Sequence, residues 1–266
     1  MSTRTALALT FLVAAGACRS PSTASSGFEE LQFLQDMVLV RPLSVDEDWL
    51  LWGRFEATQE EVFGVTERDR RDLPASMISA EQAQSWCANY SLRLPTEREW
   101  RQMPLEGGGV EFDSVAPQDH NGLELGLGGP LPVGVFERGR TAMGLYDIFG
   151  NVREIVLTED GGVLAYGGSY ASRDASRDPR EQLELEMGDR AEDVGFRYVA
   201  DATVFFREYL APRWLQLSRE ERREVQAWWQ NWRAEYRSAL AKRLREDGLD
   251  ESLIRAVESL GVDSSE

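Results

Sequence analysis

Apolar and polar positions alternate in short bursts over most of this chain and fall into helical periodicity in only a few places. Met37 to Val40 and Trp49 to Trp52 are apolar runs separated by Pro42 and an acidic turn, which predicts two strands. Gln59 to Phe63 predicts a short helix. Ser79 to Tyr90 predicts a longer one, because Ser79 can cap it, Gln82 completes a capping box, and Ala83, Trp86, Cys87 and Tyr90 share one face. Ser91 to Trp100 reads as a structured loop leading into a second helical turn, and Glu154 to Leu157 as a strand. Residues 107–130 are glycine-rich and irregular, a loop that must be pinned from within to be ordered.

After Asp201 the texture changes. Ser218 and Glu221 form a capping box, and Val225, Trp228 or Trp229, Trp232, Tyr236, Leu240 and Leu244 recur at helical spacing. This pattern predicts one helix running to Gly248. A second helix is capped by Asp250, and its apolar face is Leu253, Ile254, Val257 and Leu260. The expectation is a helical hairpin over residues 203–266, its aromatic stripe packed on the preceding domain or within the hairpin, with a partner-binding surface formed by its tryptophans as the alternative.

The first residues are of another kind. Met1 to Thr5 carries Arg4, and Ala6 to Ala17 is small and apolar apart from Thr10, too short to span a bilayer and shaped like a signal-peptide core. It ends Ala15-Gly16-Ala17-Cys18, which resembles the bacterial lipobox. On that reading residues 1–18 are a lipoprotein signal, Cys18 is acylated, and the chain is anchored in the cell envelope. The alternative is an ordinary secretory signal cut near Ala17. Arg19 in place of an acidic retention residue favours the outer membrane. Residues 19–27, Ser- and Pro-containing, read as a flexible tether before a domain over 28–202.

Composition adds two limits. A net charge of −17 argues against nucleic acid as a partner, since binding it needs a basic patch to release counterions. Hydrophobic residues at 42% fit a globular body with a sizeable core.

Five ordered blocks carry a family resemblance. They are Phe55-Glu56-Ala57-Thr58; Ile78 to Trp100, with its Arg-Leu-Pro-Thr-Glu run; Asn121 to Phe136, ending Pro-Val-Gly-Val-Phe; Gly144 to Glu154, GLYDIFGNVRE; and Gly167-Gly168-Ser169 with Gly195-Phe196-Arg197. In this order they resemble the formylglycine-generating (sulfatase-modifying factor) family. The resemblance implies an α+β, C-type-lectin-like fold, low in regular secondary structure and dense in buried polar anchors. Arg93, Glu97, Glu99 and Trp100 read as fold-holding groups in a Pro-containing turn rather than as catalytic ones.

The same resemblance locates the missing chemistry. Active members hold copper(I) between two cysteines shortly after the Gly-Gly-Ser, and here Ser172 and Arg177 stand at those positions. A hydroxyl is a hard, protonated ligand and a guanidinium is none, so copper and formylglycine formation are not expected. Ser169 persists, and Arg153 and Ile155 replace tryptophans. The one histidine, His120, cannot build the multi-histidine iron site of related oxygenases, and it reads as a solvated loop residue. No haem, non-haem iron or nucleotide is indicated. Calcium is the one cofactor left arguable: Asn121 and Asp147 match the family's calcium positions, with carbonyls of Gly122, Ile148, Gly150 and Val152 as co-ligands and Glu124 as a further candidate. Cys87 reads as a buried structural thiol. The resulting expectation is a lipid-anchored binding or scaffolding module whose ligand is a protein or surface group. The alternative is an enzyme with altered chemistry using Ser169, Ser172, Asp174 or Arg177.

Overall fold

The computed structural model describes residues 28–42, 44, 47–102, 117–173 and 182–258. The expected signal segment, Cys18 and the expected tether, with Asp174 and Arg177, lie outside the described residues.

Seven short strands form two sheets among the described residues. Strands β1 (Met37–Val40), β2 (Leu50–Gly53) and β7 (Val199–Asp201) make an antiparallel sheet in the order β1-β2-β7, with Val38 opposite Trp52 and Leu51 opposite Ala200. Strands β3 (Arg153–Leu157), β4 (Val163–Tyr166), β5 (Leu183–Leu185) and β6 (Val194–Gly195) make the second, in the order β5-β4-β3-β6, where only the β3–β6 pair is parallel. Every residue of β1 and β2 is buried, which is why these strands read as unbroken apolar runs. Side chains alternate across the sheet. Met37, Leu39 and Leu51 enter one core, whereas Val38, Val40, Leu50 and Trp52 enter another with Trp100, Phe149 and Tyr166.

Three short helices precede the C-terminal region. Helix α1 (Gln59–Phe63) starts from a capping box between Thr58 and Glu61, and α2 (Ala80–Ala88) from the box between Ser79 and Gln82. Helix α3 (Glu97–Gln102) places Trp100 inward. The expected fold-holding role of Arg93 is met: its guanidinium forks to Glu99 at 2.7 and 2.8 Å and to Asp201 at 2.9 and 3.1 Å, while Glu99 also accepts the Thr96 amide at 2.8 Å.

The C-terminal region is more than a hairpin. A helix missed by periodicity follows β7, built of α4 (Ala202–Phe205), a π-helical turn (Phe206–Leu210) and α5 (Ala211–Trp214). Pro212 has no amide and crowds the carbonyl four residues back, and the wider turn before it relieves both demands. The single helix expected from Ser218 onward is also corrected. Helix α6 (Arg219–Trp228) stops in a 3-10 turn at Trp229–Asn231, Trp232 is extended, and α7 (Ala234–Glu246) begins anew before α8 (Glu251–Glu258). The break turns Trp232 so that its indole donates to the Met37 carbonyl at 2.9 Å. Trp229, Trp232, Leu240, Leu244, Ile254 and Val257 are buried in the same core as Leu39, Trp86 and Phe196. The aromatic stripe is therefore interior, and the boundary at 202/203 divides texture rather than cores.

This region also closes over the start of the domain. A 3-10 helix, Glu29–Asp36, lies against α6. Phe28 stacks on Trp228 with ring centroids 5.6 Å apart, Glu30 pairs with Arg213 at 2.9 Å, and the Tyr209 hydroxyl donates to the Glu30 carbonyl at 3.2 Å. No helix among the described residues is long and apolar enough to cross a membrane.

Candidate functional site

The polar centre is organised by one arginine. Arg197, on the short link between β6 and β7, is fully buried and donates to Glu154 of β3 at 2.6, 3.1 and 3.2 Å, to the Gly53 carbonyl at 2.9 Å and to the Tyr146 carbonyl at 2.7 Å. Trp100 completes the Glu154 carboxylate with an indole hydrogen bond of 2.8 Å. Beside this pair Glu56 accepts from the Asn151 amide group at 2.6 Å and from the Val152 backbone amide at 3.0 Å. Asn151 in turn accepts from the Leu131 amide at 2.9 Å and the Asn121 side chain at 3.1 Å. The described part of the glycine-rich loop, from residue 117 onward, is thus pinned from inside by an Asn–Asn–Glu relay. Gly150 is required here: its φ is +78°, and a Cβ would collide with the Asn121 carbonyl.

The centre holds more carboxyl groups than cations. Glu56 and Asp147 are both buried, and burial is the main cause of their raised pKa values. Asp147 is pushed up to about 6, against the Gly134 amide and Arg197, which favour its ionised form. Glu56 is raised further by the neighbouring Asp147 and Glu154.

These residues bear on calcium. Asn121 Oδ1 is a buried carbonyl-type oxygen without a hydrogen-bond partner, although its amide nitrogen is used by Gly129 and Asn151 at 3.1 Å each. An orphaned hard acceptor beside surplus carboxylate fits a hard cation in chemistry. Asp147 keeps one oxygen on the Gly134 amide at 2.6 Å, in left-handed backbone at φ +54°. The Asn121 carbonyl, the atom opposite Gly150, is already bonded by the Asn151 amide at 2.8 Å. No group of three or more Asp, Glu, His or Cys able to hold a metal occurs among the described residues, so carbonyls would have to supply much of a calcium shell. Gly122, Ile148, Gly150 and Val152 are buried, whereas Glu124 is exposed. The expectation of a solvated His120 is corrected: the ring is 3% exposed and sits between Gly122 and Gly150, which leave room for it by lacking side chains.

Where chemistry was expected, an ion pair ties the described residues together. Arg153, at the start of β3, reaches Asp193 at 2.5 Å and Ser169 at 3.1 Å. Ser169 Oγ donates to the same Asp193 oxygen at 2.7 Å and accepts from the Ala171 amide at 3.2 Å. Ser172 Oγ accepts from the Ser169 amide at 3.0 Å. Both serines are buried and engaged in holding the turn, and no histidine lies among these partners to activate either. Cys87 is buried as expected, and burial drives its thiol pKa far upward, so it stays protonated.

Residues 45–202 match the sulfatase-modifying factor enzyme 1-like domain family. The chain belongs to this family. Among the family's proteins it is similar to inactive C-alpha-formylglycine-generating enzyme 2 of Mus musculus, with 30% identity over 160 residues, covering 51% of each chain. It is similarly related to the Bos taurus protein of that name, at 29% over 160 residues, covering 51% of this chain and 52% of that one. The chain therefore spans about half the length of the curated relatives it matches. Among solved structures, Treponema denticola variable protein 1 superposes with a TM-score of 0.50 at 18% identity, covering 62% of this chain and 91% of that one, a likeness of fold. The α+β architecture expected from the five blocks is the one found.

Two participants in the family site escaped the sequence reading. Asp193 was not singled out, since its contact with Arg153 spans 40 residues; the signal was an acid directly before Val-Gly-Phe-Arg, matched to a misplaced arginine after Gly-Asn-Val. Glu56 was noted only as part of a block, and its contacts with Asn151 and Val152 span 95 and 96 residues.

Proposed function

We propose that this sulfatase-modifying-factor-like protein is a non-catalytic member of its family that works as a binding or scaffolding module, held at a membrane by a lipid on Cys18. The observation that carries the reading is the Arg153–Asp193–Ser169 cluster, which engages Ser169 in an ion-paired network where the family resemblance places the chemistry. With Ser172 in place of a cysteine, no soft thiolate is available there to hold copper(I). The similarity to relatives named as inactive enzymes supports the same reading.

Calcium belongs to this proposal as a structural ion. Asp147 and Asn121, with carbonyls of Gly122, Ile148, Gly150 and Val152, would hold it, and it would neutralise the surplus carboxylate charge around Glu56.

The test is anaerobic copper(I) titration of the purified chain against a competing chelator, with oxygen uptake measured on a cysteine-containing peptide. No stoichiometric copper binding and no uptake are expected. Tight one-to-one binding, or peptide-dependent oxygen consumption, would refute the non-catalytic reading. Palmitate labelling of the Cys18→Ala variant in a bacterial host tests the anchor separately: if that variant still incorporates label, the anchor is wrong.

A further inference from the structure

Beside the Arg153–Asp193 pair, one surface seam combines exposed methionine with acid. Residues 75–81 run against 187–195: a Cβ on Gly195 would touch the Ala75 carbonyl at 3.0 Å, the Met77 amide donates to Ala191 at 3.1 Å, and the Glu81 amide to Met187 at 3.2 Å. Met77 is 51% exposed and Met187 41%, the two exposed methionines among the described residues. Met77 holds this outward position in left-handed backbone at φ +56°, a conformation uncommon for a long side chain.

The charge around the seam is mostly negative. Glu81, Glu186, Asp189 and Glu192 are exposed along it, with Arg190 the opposing cation. Tyr170, next to Ser169 in the chain, feels both Glu192 and Asp193, which help burial to raise its pKa. This is the local extreme of a wider imbalance. Positions 28–202 hold 34 acidic and 16 basic residues, whereas positions 203–266 are nearly neutral with 12 and 11. Thioether side chains are flexible and polarisable and adapt to varied apolar partners. Carboxylates around them select partners of positive charge and speed their approach.

We propose that this seam is a docking surface for a basic, partly apolar polypeptide segment, whose aliphatic side chains cover Met77 and Met187 and whose Arg or Lys side chains meet Glu81, Glu186 and Glu192. The proposal rests on the non-catalytic reading in placing recognition beside that pair rather than at it. Arg153 already occupies the cation-binding position at Asp193, so the partner's charges are met along the seam.

The test uses the purified full chain and a synthetic amphipathic peptide of Arg and Leu, with its Glu-for-Arg counterpart. Binding is followed by calorimetry at roughly 0.05 and 0.5 M salt, a span over which screening of exposed charges changes severalfold. Three variants accompany it: Met77→Asn with Met187→Ser, Glu186→Gln with Glu192→Gln, and an acidic control outside the seam, Glu67→Gln with Asp69→Asn. Circular dichroism checks that each is folded. The basic peptide should bind and the acidic one should not. The methionine and seam-carboxylate variants should each weaken binding roughly tenfold or more, and the control should not. Absence of binding, indifference to the methionine variant, or equal loss in the control would overturn the proposal. Copper(I) titration of the same preparations is read independently, so tight metal uptake would sink the non-catalytic reading and peptide results the docking surface.

Discussion

Replacing Arg197 with Met should be among the most damaging single changes this fold can suffer. The guanidinium is fully buried and serves Glu154 and the carbonyls of Gly53 and Tyr146 at once. Methionine fills much of the volume but leaves Glu154 as a buried charge beside Glu56 and Asp147, with the Trp100 indole as its remaining donor. Breaking a buried pair on one side costs about 3–5 kcal/mol, and each orphaned carbonyl about 1–3 kcal/mol where relaxation does not find it water. Because these terms overlap, the expected loss is about 4–6 kcal/mol, a large part of the 5–15 kcal/mol typical of a domain. Urea unfolding of wild type, Arg197→Met, Glu154→Gln and the double variant measures it, with m-values compared to check that the same unfolding is observed. The double variant should lose less than the sum of the singles by about 2 kcal/mol or more, since neutral Gln removes the abandoned charge. A loss below about 2 kcal/mol for Arg197→Met, or additivity within about 0.5 kcal/mol, would refute the view that this arginine organises the centre. If Arg197→Met does not fold, Arg197→Lys and Glu154→Gln carry the same cycle at smaller cost.

Other consequences are simpler to test. Burial raises the pKa of Glu61, which caps α1 and accepts the Tyr198 hydroxyl at 3.0 Å. A carboxyl that binds its proton more tightly when folded lowers stability as pH rises above its unfolded value near 4.5; Glu61→Gln should therefore flatten the fall in melting temperature above that pH, and an unchanged pH profile would count against this. Gly150→Ala should cost about 1–3 kcal/mol or more, from left-handed strain and collision with the Asn121 carbonyl; denaturant titration showing wild-type stability would contradict the loop geometry. Leu240→Ala should cost about 2–5 kcal/mol and shift the unfolding of the sheets, followed by tryptophan fluorescence, together with that of the helices, followed by circular dichroism. Two separated transitions would show that the C-terminal helices do not share the domain's core.

What the chain disclosed in advance was mostly local. The boxes at Ser79–Gln82 and Ser218–Glu221 formed because cap chemistry is complete within four residues. Alternation across β1 and β2 was concealed, since both faces are buried and every position is apolar. The helix at 202–214 went unseen because Pro212 interrupts its pattern, and the break at Trp232 is imposed from afar by the Met37 carbonyl. Of the candidate site, the family blocks gave Ser169, Ser172, Asn121 and Asp147. Their partners Asp193 and Glu56 come from distant segments, and pairing over such separations leaves no periodic trace. His120 was misjudged for a related reason. A histidine flanked by polar residues looks solvated until two glycines are seen to make room for it.

The closure of the C-terminal helices over residues 28–36 also sets a timetable for synthesis. Glu30 must wait for Arg213, 183 residues later in the chain, before its ion pair can form. At about 5–20 residues per second that delay is roughly 10–40 seconds, during which the apolar faces of Leu31 and Leu34 have no permanent cover. The last helices to be made are thus the ones that complete the start of the described domain, so a chain stopped short near residue 210 should be a client for chaperones rather than a smaller working protein.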